Sequence, residues 1–142
     1  MSTFKDLKVW QVNQDCIRET LKLLKRLPDE YAFQHIGKQL FRAISSVGAN
    51  LAEGQDSHEG KEFIRYISIA VRSAIESDHW LATLQNLGVS SGELEQLAAT
   101  NHETIKMLKG LRKSIEEKRS LLTRHSSLDT INCSSCPHRL EA

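Results

Sequence analysis

Apolar residues recur along most of this chain at alternating spacings of three and four, the period at which an α-helix presents one face to a core. Four such runs, separated by short polar segments, make all-α the fold class to expect. With only 2 Pro and 7 Gly there is little punctuation for the many turns of a β-sandwich or barrel. Hydrophobic residues fill 39% of 142 positions, enough for one aliphatic core to offset chain entropy. That length leaves no room for a second core of ordinary size.

The ends of the runs carry their own chemistry. Thr3-Phe4-Lys5-Asp6 reads as a capping box and Pro28 as a stop, which predicts a first helix over 4–26 with its seam at Leu7, Trp10, Gln14, Ile17, Leu21 and Leu24. Val9, Cys16, Leu23 and Leu27 widen that stripe, and Gln14 is its polar break. Phe33, Ile36, Leu40, Ala43, Val47 and Leu51 predict a second helix over 33–53 that closes at Gly54. Small residues at Gly37, Ala43, Gly48, Ala49 and Ala52 invite a close neighbouring backbone there. A third helix over 58–87 follows from Phe63, Ile67, Ala70, Ala74, Ser77, Leu81 and Leu84, with Gly88 as its stop. Ser90-Ser91-Gly92-Glu93 offers a second capping box for a helix over 92–123. Its heptad seam runs from Leu94, Leu97, Asn101, Thr104 and Leu108 on through Leu111, Ile115, Lys118 and Leu122, past the length its partners cover. Short connections make neighbours antiparallel, so residues 1–124 are expected to form an up-down-up-down four-helix bundle. From 125 to 142 the period disappears, and a flexible, Cys-containing C-terminal tail is expected.

Lys and Arg number 19 and Asp and Glu 18, so no global field drives the chain onto nucleic acid or anionic membrane. The polarity is local. Segment 53–103 carries three basic residues against nine acidic, whereas 104–125 carries seven against two. The seven are Lys106, Lys109, Arg112, Lys113, Lys118, Arg119 and Arg124. Several cations on one element can displace counterions from a phosphate backbone, which makes these residues the candidate nucleic-acid contacts. In a single copy, a solvated face balanced by the acidic third helix explains them more cheaply. A ring of identical copies would repeat the stretch and sum its field.

Catalytic signatures are lacking. There is no Gly-rich phosphate loop, no nucleophile elbow and no nucleophile with a base at readable spacing, so the chain is expected not to be an enzyme and to need no cofactor. Glu76-Ser77-Asp78-His79 has the Glu-x-x-His spacing of di-iron bundles, but the motif occurs once where two copies are required. Cys133 and Cys136 with His138 supply three of the four ligands of a closed zinc site, and His125 is the further donor nearby; no metal site is expected. His35, His58 and His102 fall on polar or turn positions, where solvation is the simplest account, and Trp10 and Trp80 are expected to pack rather than stack on bases. An odd Cys count, no signal-peptide pattern and no apolar stretch approaching about 20 residues point to a reducing cytoplasm and exclude a membrane span.

Phe4-Lys-Asp-Leu-Lys-Val-Trp10, Gly37-Lys-Gln-Leu-Phe-Arg-Ala43, Ser46-Val-Gly-Ala-Asn50-Leu-Ala-Glu53-Gly54, and Phe63 to Ala70 followed by Ser73-Ala-Ile-Glu76-Ser-Asp78 make residues 4–88 resemble the bacterial four-helix-bundle proteins encoded by intervening sequences of 23S rRNA genes. Asn50, Glu53 and Gly54 carry the family motif at a helix end. That family is similar in fold to the accessory variability proteins of diversity-generating retroelements, which are pentameric and associate with a reverse transcriptase and nucleic acid. The resemblance implies a homopentamer, a partner that is RNA or an RNA/DNA hybrid, and a reverse transcriptase as a further candidate partner. Two positions depart from the family pattern. Gly48 stands where the family commonly has Pro, removing a kink that Pro would impose, and Ser77 stands where an apolar residue is usual. The reading that follows is a non-enzymatic, oligomeric nucleic-acid-binding accessory protein, with a protein-protein scaffold that binds no nucleic acid as the alternative.

Overall fold

The structure, a computed structural model, describes residues 2–57 and 60–132. Among them a single 3-10 turn, Phe4–Asp6, precedes four helices: α1 (Lys8–Leu24), α2 (Tyr31–Asp56), α3 (Gly60–Asn86) and α4 (Gly92–Asn132). The first capping box closes the 3-10 turn rather than the expected first helix. Asp6 reaches back to accept the Thr3 amide at 2.7 Å, but Leu7 is extended, so α1 begins only at Lys8. Helix α2 passes through Gly54 to Asp56 instead of stopping there. At the end of α3 Gly88 adopts φ +87°, and the amides of Gly88 and Val89 donate to the carbonyls of Gln85 and Leu84, a Schellman stop of the kind Gly favours. Ser91, not Ser90, caps α4, its Oγ accepting the Leu94 amide at 3.1 Å. Glu93, expected to complete that cap, meets Arg26, in the turn just past α1, at 3.3 Å.

Each helix packs against its neighbours in sequence, and α1 closes the ring on α4. Pairings run in opposite senses at every seam. Along α1 and α2, Leu24 lies against Gly37 and Trp10 against Gly48; along α2 and α3, Arg42 pairs with Glu76 and Gly54 meets Tyr66. Along α3 and α4, Asp78 pairs with His102 and Gly60 meets Arg119. Along α1 and α4, Arg26 pairs with Glu93 and Cys16 contacts Thr104. The bundle is therefore antiparallel throughout, as expected.

Two apolar clusters fill it. Leu23, Leu40, Ile44, Leu81, Leu84 and Leu97 pack at one end, and Val47, Leu51, Ile67, Ala70 and Leu108 at the other. Between them lies a polar layer. Asn13 Nδ2 donates to the Ile44 carbonyl at 3.0 Å, and Asn101 Nδ2 to the Ala74 carbonyl at 2.9 Å, each bond crossing between helices. Ser77 and Thr104 hide their hydroxyls on carbonyls one turn back, and burial pushes the Cys16 thiol pKa up.

This layer corrects the first seam. The buried positions of α1 are Val9, Asn13, Cys16, Thr20 and Leu23, one residue off the expected stripe, and Leu21 is 45% exposed. Asn13 and Thr20, rather than Gln14, are the polar residues that α1 buries. The Asn13 Oδ1 has no hydrogen-bond partner and faces bare backbone at Gly48, where a Cβ would lie only 2.6 Å away.

Helix α4 does not end near 123 as expected but continues to Asn132. Arg119 sits level with Gly60, the first residue of α3, and the part of α4 beyond it overhangs the bundle by about 20 Å at ~1.5 Å per residue. Leu121 and Leu122 on the overhang are 57% and 70% exposed. The Cys133, Cys136 and His138 positions lie outside the described residues.

Gly48 and Gly110 make opposite predictions for one substitution. A methyl at Gly48 meets the Asn13 amide, so Gly48→Ala is expected to lower unfolding free energy by about 1–3 kcal/mol despite a helix-propensity gain of about 1 kcal/mol. Nothing lies within 4 Å of a Cβ at Gly110, so Gly110→Ala should raise stability by about 0.5–1 kcal/mol. Urea unfolding of both variants checks the pair, and a stabilised Gly48→Ala would contradict the packing described.

Candidate nucleic-acid interface

The seven cations expected on α4 occupy three faces. At ~100° per residue Lys106, Lys109, Lys113 and Arg124 share an arc of about 60° on the outer side, opposite the buried Leu97, Thr104 and Leu108. Lys106, Lys109 and Lys113 are exposed and have no acidic partner among the described residues. Arg112 and Arg119 lie on the flank toward α3. Arg112 Nη1 donates to Ser68 Oγ at 3.5 Å, its Nε is 4.0 Å from Glu116, and the Arg119 stem covers Gly60. Lys118 falls on the other flank, in line with Leu111 and Leu122, and is not brought together with the rest.

Helix α3 is neutral in total, three cations against Glu62, Glu76 and Asp78, so the acidity of segment 53–103 lies outside it. Its Lys61, Arg65 and Arg72 are spaced by four and seven, all exposed, and so form one outward stripe that includes Ser68. Of its acids only Glu62 joins the stripe, on Arg65; Glu76 pairs with Arg42 of α2, and Asp78 with His102 of α4. Counting charge by segment hides this stripe; counting it by helical face would have found it.

The Asn50, Glu53 and Gly54 motif is a clasp between α2 and α3. Asn50 Nδ2 donates to the Ser46 carbonyl at 2.8 Å, and the Ser46 hydroxyl meets that of Ser73 across the seam at 3.1 Å. Glu53 Oε1 accepts from the Tyr66 hydroxyl at 2.7 Å, which pushes the phenol pKa up. A Cβ at Gly54 would lie 2.7 Å from the Tyr66 Cβ, so only Gly lets the two helices approach this closely. The Arg65 guanidinium stacks over the Tyr66 ring at 4.7 Å and is held by Glu62.

Other chemical candidates resolve into packing and surface contacts. Glu76 accepts from Arg42 and from Trp80 Nε1, and the His79 ring sits edge-on to Trp80 at 4.8 Å. Among the described residues no three His, Cys, Asp or Glu gather as metal donors. Trp10 packs edge-on against Phe4 at 5.3 Å, which accounts for both aromatics of the opening motif, and Trp80 packs on the core. His35 stacks on Tyr31, and His102 is held by Asp78 at 2.8 Å rather than being merely solvated. His58 lies outside the described residues. No helix among them is long and apolar enough to cross a membrane.

Residues 5–110 match the family model described as 23S rRNA-intervening sequence protein. A crystal structure of a protein with unknown function from the S23 ribosomal protein family of Bacteroides thetaiotaomicron VPI-5482 is similar, with a TM-score of 0.68 and 25% identity over 74% of this chain and 95% of that one. Among curated proteins none matches. The family match ends within α4, so it takes in Lys106 and Lys109 and stops short of Arg112 and everything beyond it. The match spans three quarters of the residues and takes in α1, α2, α3 and the core-facing half of α4: the chain belongs to the 23S rRNA-intervening sequence protein family.

Proposed function

We propose that this protein is a non-enzymatic, self-associating accessory protein of the cytoplasm that binds structured RNA or an RNA/DNA hybrid through the basic surface of α4. The observation that carries this reading is the row of Lys106, Lys109 and Lys113, exposed on the outer face with no acidic partner among the described residues. Cations left unpaired on a rigid helix are free to replace condensed counterions on a phosphate backbone, and the resulting affinity is electrostatic and sequence-independent. Membership of a family named for 23S rRNA intervening sequences supports an RNA partner. A kinship with the accessory variability proteins of diversity-generating retroelements is part of this proposal, and it would make the assembly a homopentamer and a reverse transcriptase the enzyme served.

Self-association has its own support. The overhang of α4 exposes Leu121 and Leu122 beyond the end of the bundle, where the chain's own helices do not cover them. The same feature favours the second reading, a scaffold that docks a partner helix and binds no nucleic acid.

The double variant Lys109→Glu/Arg112→Glu is expected to weaken binding of a structured RNA at least about tenfold in filter binding and to lower the salt slope by about two. Unchanged affinity would remove α4 from the interface. Leu121→Glu/Leu122→Glu should lower the assembly mass measured by light scattering while circular dichroism retains the helical signal. An unaltered mass would place self-association on another surface.

A further inference from the structure

We infer that the nucleic-acid site is wider than α4: Lys61, Arg65 and Arg72 of α3 form a second row of cations, and the two rows together grip the backbone of a double-helical, A-form stem. This inference rests on the RNA-binding reading above and specifies its substrate class.

The register between α3 and α4 assembles the surface. Gly60 lies against Arg119, Ser68 receives Arg112, and Asp78 pairs with His102, so residue numbers facing each other across this seam sum to a nearly constant value. Arg72, one turn beyond Ser68, therefore stands level with Lys109, and Lys61 with Arg119. Lys61 and Arg72 are exposed and, like Lys109 and Lys113, lack an acidic partner among the described residues. Arg65 and Arg112 do have carboxylates, Glu62 and Glu116, but both pairs are on the surface, where exchanging a carboxylate for a phosphate costs little. The result is two antiparallel rows of positive charge about 8–10 Å apart, each about 16 Å long.

The chemistry of this face selects a duplex. Phosphates of two strands running side by side present two rows of negative charge, whereas a single strand presents one. The face also lacks what unpaired bases need. Tyr66 has its ring under Arg65 and its hydroxyl on Glu53, and among the described residues no other aromatic lies between the rows to give bases a platform on which to stack. Between the rows lies Ser68, and among the described residues no Asn or Gln falls there to read base edges. Recognition is then by backbone and shape, the mode that suits an A-form helix, whose deep, narrow major groove side chains cannot read.

Salt-titrated binding of the full chain to a hairpin RNA with a stem of about 16 base pairs, to an unpaired RNA of the same composition and to a DNA duplex of the stem sequence tests the inference. Lys61→Ala/Arg72→Ala is expected to weaken stem binding about tenfold or more and to lower the salt slope by about two, while Lys25→Ala/Lys38→Ala, which removes equal charge from the end of α1 and from α2, leaves both unchanged. The stem should bind more tightly than either other probe. If Lys109→Ala/Lys113→Ala weakens stem binding but Lys61→Ala/Arg72→Ala retains wild-type affinity and slope, α3 is not in the site and the inference fails while the reading beneath it stands. Equal affinity for unpaired RNA or for the DNA duplex would overturn the stem assignment. A wild-type chain that binds none of the probes at low salt would remove the RNA-binding reading itself.

Discussion

Two buried asparagine amides, each hydrogen-bonded to a main-chain carbonyl of the next helix, hold the bundle in one register. Asn13 bonds the Ile44 carbonyl and Asn101 the Ala74 carbonyl, and both sit in the layer that separates the two apolar clusters. Apolar seams alone tolerate sliding by a turn, because one Leu fits another's place at modest cost. A buried amide does not tolerate it: slid one turn, it loses its carbonyl and remains desolvated, at about 1–3 kcal/mol per group. Buried Asn residues act this way in coiled coils, fixing register at some loss of stability. The same logic explains Gly48, since Asn13 reaches α2 only where that helix has no side chain.

Register at the core decides what meets at the surface. Once Asn101 is fixed against Ala74, the antiparallel geometry brings Arg112 to Ser68 and Arg119 to Gly60 without any attraction among the cations themselves. The Glu53–Tyr66 bond and the close approach at Gly54 hold the corner where α2 turns into α3, which is where the α3 stripe begins. A family motif that looks like a site in the sequence is thus a positioning device. Lys61 and Arg65 follow within a few residues of that corner.

How legible all this was depended on whether the signal was apolar. The seams of α2 and α3 and the first half of α4 were readable because every buried position there but Gly37, Gly48, Gly54, Ser77, Asn101 and Thr104 is aliphatic or Ala. On α1 the stripe was misplaced by one residue, since Trp10, Ile17 and Leu21 outweigh Asn13 and Thr20 in hydrophobicity, while Thr20 satisfies its hydroxyl on the Cys16 carbonyl and becomes buriable. The far end of α4 was missed for the opposite reason: a protruding helix needs only its own backbone bonds, so no apolar period marks it. The α3 stripe was hidden by arithmetic, three cations outnumbered in a segment whose acids sit mostly on other faces and other helices.

Static light scattering of the purified chain, alone and with a stem-forming RNA, at low salt and at about 0.2 M, tests the central claim that this register builds an electrostatic RNA-binding surface on a self-associating bundle. The expected result is a multimer whose mass rises by that of bound RNA at low salt and returns to the protein-only value at the higher concentration. A monomer whose mass ignores RNA at both concentrations would contradict the assembly and the binding surface together.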